Sequence, residues 1–188
     1  ELCRNNDVGK FVLSSTSSAY GAGPRPSVET ARTDRPLSPY AASKIAAEVM
    51  CHSFHHVYDV DVTVLRFFTV YGPAGRPDMS IFRFVRWITE GDPLTLYGDG
   101  SQVRDFTNVL DIARGVAAAL RPLGYEIINL GSDRPVVLMD AIHTIEEIVG
   151  REAVIDQHPA QVTDIPGSWA DITKAKILLD WEPEVEFE

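Results

Sequence analysis

Gly9-Lys10-Phe11-Val12-Leu13-Ser14-Ser15-Thr16-Ser17-Ser18-Ala19-Tyr20-Gly21 decides the fold. A turn leads into the short apolar run Phe11-Val12-Leu13, and the run gives way to hydroxyls. A brief apolar run without alternation reads as a strand buried on both faces, as in a parallel sheet. Residues 21–39, rich in Gly, Pro, Ser and Thr, read as a loop. Ser38-Pro39 then opens a helix over about 40–58, and Asp61–Phe68 is a second buried strand. The same alternation continues with a helix at about 79–90, a short strand Leu94–Tyr97, a helix Val109–Leu120 and a strand Glu126–Leu130. Helices follow at Leu138–Val149 and Ile172–Leu179. Strands alternating with helices predict an α/β fold, a parallel sheet with helices on both faces.

Composition narrows the function classes. The 188 residues carry a net charge of −10 and no Lys/Arg cluster, which argues against nucleic-acid binding. No run approaches the roughly 20 apolar residues of a membrane span. Cys3 and Cys51 suggest neither a disulfide scaffold nor a metal clip, and read as reduced thiols of a cytoplasmic protein. His52, His55 and His56 share a helix without a partnering Cys or carboxylate pattern, so no metal is expected. The chain opens, without Met, on what reads as the end of a helix, as a truncated product would. No glycine-rich dinucleotide fingerprint occurs: Gly21-Ala22-Gly23 opens a Pro-rich loop instead of a helix.

Tyr40-Ala41-Ala42-Ser43-Lys44 places a phenol and an ammonium four residues apart on one helix face. A free phenol, with pKa near about 10, is a poor base at neutral pH. A neighbouring cation favours the phenolate, which can then take a hydroxyl proton while hydride leaves for a cofactor. Spacing alone also fits a surface Tyr and an unrelated Lys. The hydroxyls Ser14 to Ser18 strengthen the catalytic reading, because active groups in open α/β sheets gather beyond the carboxyl ends of strands.

With these pieces the chain resembles the extended short-chain dehydrogenase/reductases, in particular the nucleotide-sugar epimerase and dehydratase family. The matching segments are Ser14–Gly21, Ser38–Lys44, Leu65–Pro73, Tyr97–Phe106 and Asn129-Leu130-Gly131, in the family's order and spacing over essentially the whole chain. The resemblance implies the C-terminal part of a Rossmann-type doubly wound sheet plus a small α/β substrate lobe. It assigns 1–72 and 105–131 to the NAD-binding domain, and 73–104 and 132–188 to the nucleotide-sugar lobe. It further implies NAD as cofactor, a UDP-sugar as substrate, a homodimer for the full-length form, and an NAD loop in sequence preceding these residues.

Residue by residue, the resemblance makes Tyr40 the base, with Thr16 sharing the sugar 4-hydroxyl and Lys44 holding the nicotinamide ribose. Ser14, Ser15, Phe67 and Val70 fall at cofactor positions. Arg104 corresponds to an Arg that pairs with the nucleotide diphosphate; an ion pair with Asp105 or Asp99 is the competing reading. Ser17 and Ser18 stand where family dehydratases carry an acidic pair, so dehydration lacks its general acid. Many UDP-glucose 4-epimerases have Asn at the position of Thr69. Gly75-Arg76-Pro77-Asp78-Met79 resembles the UDP-glucuronate 4-epimerases, in which hydroxyls matching Thr16, Ser17, Ser18 and Thr69, with the Arg matching Arg76, surround the sugar carboxylate. Asp164 matches a nucleotide-closing segment, contacting either the ribose or its own turn. The expected activity is C4 epimerisation of UDP-glucuronate. UDP-glucose epimerisation, UDP-glucuronate decarboxylation and a non-catalytic nucleotide-binding relative are the alternatives.

Overall fold

The computed structural model describes residues 1–161 and 165–187. After a short helix α1 (Leu2–Asn5), strand β1 (Lys10–Thr16) enters the sheet, followed by a 3-10 turn at Ser17–Tyr20. The loop from Gly21 leads to helix α2 (Pro39–Tyr58), strand β2 (Asp61–Phe67) and strand β3 (Thr69–Tyr71). Helix α3 (Ser80–Glu90), strands β4 (Pro93–Tyr97) and β5 (Val103–Asn108), and helix α4 (Val109–Ala118) come next. Strands β6 (Tyr125–Leu130) and β7 (Pro135–Val137), helix α5 (Leu138–Val149), strands β8 (Val154–His158) and β9 (Gly167–Ser168), and helix α6 (Thr173–Leu179) complete the chain.

The expected parallel sheet is present, ordered β1-β2-β6, with Ser14 opposite Leu65 and Leu65 opposite Ile128. Its centre is covered on both faces: Val62, Val64, Leu65, Ile128 and Leu130 are all at most 1% exposed. Phe68, Ile112, Ile172, Leu179 and Trp181 extend this core. Strand β1 runs further than Phe11-Val12-Leu13 predicts. Ser14, Ser15 and Thr16 continue the ladder, because their backbone pairs with Leu65, Arg66 and Phe67 whatever their side chains prefer.

A second sheet was not anticipated. Strand β5 joins β3 in parallel, β7 antiparallel and β9 in parallel. Its sequence hides it, because the buried centre of Val103–Asn108 holds Asp105. That carboxylate is fully buried and accepts from the backbone N–H of Ser132 and Ala170 and from the Thr107 hydroxyl. It thereby ties three segments together, and Gly131 has no room for a Cβ, which would lie 2.6 Å from Asp105 Oδ2. Strands β4 and β8 pair separately, and Leu94 and Leu96 meet α3 and α5 through Phe84, Ile88, Ile142 and Ile145. Strand β8 also went unread, since every one of its residues is exposed and lacks an apolar face.

Candidate active site

Helix α2 begins where chemistry needs it. The Ser38 hydroxyl caps the helix by accepting from Ala41 N (3.1 Å), and Pro39 occupies the first turn, where its missing N–H costs nothing. Tyr40 therefore stands in the first turn and is 54% exposed, open to a ligand. One turn on, Lys44 Nζ donates to the Ser14 carbonyl (2.9 Å) and lies 5.9 Å from the centre of the Tyr40 ring. The ammonium thus links the phenol's helix to the carboxyl end of β1.

A third residue on this face, Glu48, was not anticipated. It is buried, accepts from the Ser15 hydroxyl, and takes two hydrogen bonds from Arg66, Nε at 3.0 Å and Nη2 at 2.6 Å. The guanidinium of Arg66 also covers the Tyr20 ring at 4.8 Å. Tyr20 donates to Asn129 Oδ1 (2.6 Å), and Asn129 Nδ2 donates to the Ser27 carbonyl (2.8 Å). One polar network therefore runs under the site through β1, α2, β2 and β6. Burial works against the charge of Arg66, but its bonds to Glu48 and the Glu48 charge outweigh this and raise its pKa. Burial raises the Tyr20 phenol as well. Tyr125, whose hydroxyl donates to the Glu48 carbonyl, is pushed up to about 12 by burial first and then by the Glu48 charge. Two signals for this network were in the sequence: a Glu at the Tyr40 and Lys44 spacing, and an Arg inside an apolar strand.

Thr16 is 7% exposed and its Oγ1 accepts from Ser18 N (3.1 Å), starting the 3-10 turn. That turn brings Ser17 and Ser18 to a cavity of about 230 Å³. Ser17, Ser18, Ser38, Thr69 and Ser168 supply hydroxyls and Arg104 a guanidinium; Gly21, Leu37 and Ile165 complete the wall. The pairing of β5 with β9 sets Arg104 beside Ser168. Arg104 Nη1 donates to the carbonyls of Val103 (2.9 Å) and Ile165 (3.0 Å). Asp105 is committed to its backbone donors and Asp99 to Ser101.

The remaining expected residues are dispersed. Phe67 ends β2 and packs on the main core. Val70 lines a different, largely apolar groove of about 640 Å³ beside α3 and α5. That groove is the larger; Thr16, Tyr40 and Lys44 line neither cavity, but the hydroxyl cavity holds their chain neighbours, Ser17 after Thr16 and Ser38 at the cap of the Tyr40 helix. Arg76 is exposed and paired with Asp78. The bond and charge of Asp78 raise its pKa. Asp164 lies outside the described residues. No helix among the described residues is long and apolar enough to cross a membrane.

Known proteins resemble the chain in sequence and in fold. The chain is 51% identical over its whole length to a UDP-glucuronate 4-epimerase of Thermodesulfobacterium geofontis, covering 58% of that protein. It is 37% identical to a probable UDP-glucuronate 4-epimerase of Rhizobium meliloti, covering 61% of it. The structure superposes on the Bacillus cereus UDP-glucuronic acid 4-epimerase, solved with UDP-glucuronic acid and NAD, with a TM-score of 0.94 and 38% identity over 98% of this chain and 60% of that one. It also matches a UDP-glucose 4-epimerase of Thermotoga maritima, solved with UDP-glucose, with a TM-score of 0.93 and 32% identity over 98% of this chain and 61% of that one. The chain thus spans about three fifths of the length of the relatives it matches. Residues 1–131 fit the sequence pattern described as the NAD dependent epimerase/dehydratase family, and the chain belongs to that family.

Proposed function

We propose that these residues serve an NAD-dependent C4 epimerase that interconverts UDP-glucuronate and UDP-galacturonate. The observation that carries this reading is the hydroxyl-lined cavity of Ser17, Ser18, Thr69 and Arg104, with no carboxylate among the described residues of its wall, whose Ser38 caps the helix that carries Tyr40 and Lys44. A sugar carboxylate leaving water needs donors, and an acidic wall would repel it. The 51% identity to a UDP-glucuronate 4-epimerase supports the same substrate.

Tyr40 takes the proton of the sugar 4-hydroxyl and later returns it. Thr16 orients that hydroxyl, and the ammonium of Lys44 favours the phenolate. When bound, NAD accepts and gives back the C4 hydride. The nicotinamide end fits at the carboxyl ends of β1 and β2, where Lys44 is held by the Ser14 carbonyl beside an open phenol. The phosphate-binding glycine loop is not among these 188 residues, so the activity is proposed for a protein that supplies it. Arg104 holds the diphosphate, and Arg76 closes over the sugar carboxylate from the rim. Val49, Met50 and Val57, exposed on α2, support pairing of the full-length form through that helix.

The test is product analysis. With the dinucleotide-binding segment present, UDP-glucuronate and UDP-glucose are incubated separately and the products read by NMR. Galacturonate from the first, with UDP-glucose a poor substrate, is expected. Turnover of UDP-glucose alone overturns the substrate assignment.

A further inference from the structure

Cys3 and Cys51, far apart in sequence, open on one cavity. Cys3 on α1 and Cys51 on α2 both line a space of about 280 Å³. Phe11 and Leu13 of β1 form its floor, with Ala47 and Phe54 of α2 beside Cys51. Residues two apart on a strand point to the same side, so α1 and α2 lie together on one face of β1. Both thiols are half-buried and neither is in a disulfide. No step of the reaction proposed above uses them.

A disulfide needs its two Cα atoms within about 7 Å and a defined torsion, so one partner must be able to adjust. Helix α1 meets that need. None of its four residues is buried, and Leu2 is 80% exposed. A short helix with so little packing shifts at small cost. It is nevertheless kept against α2, because the Arg4 guanidinium covers the Tyr58 ring at 4.8 Å. The surroundings also sort the roles of the two thiols. Burial first, and then the charge of Glu48, push the Cys51 thiol up. The thiolate is the reactive form, so Cys51 by itself is slow towards an oxidant. Cys3, on the helix without buried residues, is the one an oxidant reaches first.

We infer that Cys3 and Cys51 form a peroxide-sensitive dithiol, a modification site that closes to a disulfide within the chain. The Cys3 sulfur attacks one oxygen of hydrogen peroxide and the O–O bond breaks. The other oxygen leaves as water with the thiol's proton, and Cys3 becomes a sulfenic acid. The Cys51 sulfur then attacks the Cys3 sulfur, its proton joins the departing hydroxyl, and a second water leaves. One peroxide is reduced to two waters while two thiols are oxidised to one disulfide. The bond ties the segment in front of β1 to the helix that carries Tyr40 and Lys44, and it stands whatever reaction those residues serve.

Peroxide treatment of the 188-residue chain, followed by thiol titration, intact mass and peptide mapping, tests this. Both thiols are expected to disappear together, with loss of two hydrogens and a cross-linked Cys3–Cys51 peptide that dithiothreitol reverses. Cys51→Ser should stop at the Cys3 sulfenic acid, which dimedone traps. Cys3→Ser should slow oxidation of Cys51 by about tenfold or more. Equilibration with glutathione shows whether the fold builds the site. A flexible chain gives an effective thiol concentration in the millimolar range, and the native chain is expected about tenfold or more above its own value in concentrated urea. A native value no higher than that in urea, disulfides formed only between chains, or oxidation of Cys51 ahead of Cys3 overturns the inference. Circular dichroism checks each variant; should one unfold, the native and urea values of the wild type decide.

Discussion

Arg66 and Glu48 face each other in a two-point pair, Nε to Oε1 at 3.0 Å and Nη2 to Oε2 at 2.6 Å, with side chains 3% and 5% exposed. The pair joins α2 to β2, and through Ser15 to β1. It fixes where the first turn of α2, and so Tyr40, sits against the sheet.

Removing one partner leaves the other charged and buried. Glu48→Ala is expected to cost about 3–5 kcal/mol in a urea melt. The double substitution Glu48→Met with Arg66→Met removes both charges and should cost clearly less. Equal losses for the single and double variants would mean that burial of an orphaned charge is not the cause.

Gly131 lies where a Cβ would come 2.5 Å from the Ala170 Cβ and 2.6 Å from Asp105 Oδ2. Gly131→Ala should lower stability by about 1–3 kcal/mol, since both neighbours are packed and cannot retreat. Thermal denaturation with an unchanged midpoint would show that the clamp around Asp105 yields easily.

Alkaline pH probes the same network. The fold keeps Tyr125 neutral, raising its pKa from 10.0 to about 12. Its stabilising contribution is therefore complete below pH 10 and is lost as pH rises toward 12. Burial raises Tyr20 in the same direction. Stability measured by urea titration should decline across that window, and Tyr125→Phe should make the decline shallower. An identical slope in wild type and variant would exclude Tyr125 as a contributor.

Arg76 is exposed and paired only with Asp78 among the described residues, so Arg76→Ala should leave the melting temperature unchanged. In the active enzyme it should raise KM for UDP-glucuronate severalfold while leaving KM for UDP-glucose alone. Equal effects on both sugars would assign Arg76 to the loop and not to the carboxylate.

How much of this was legible in sequence differs from residue to residue. The parallel sheet was, because Val62, Val64 and Leu65 form an unbroken apolar run that only burial on both faces explains. The hydroxyls of Ser17, Ser18 and Thr69 and the charge of Arg104 were singled out by resemblance, and they meet in one cavity. Strand β5 was hidden because its central Asp105 is stabilised by backbone donors that come from residues 132 and 170, which no local pattern reveals.

The central claim is that Tyr40 moves the proton of the sugar 4-hydroxyl. With the dinucleotide-binding segment present and UDP-glucuronate as substrate, kcat is compared by NMR for wild type and Tyr40→Phe. Loss of a positioned acid–base group predicts a fall in kcat of about 100-fold or more, with UDP-glucuronate still bound. An unchanged kcat in Tyr40→Phe would contradict the account.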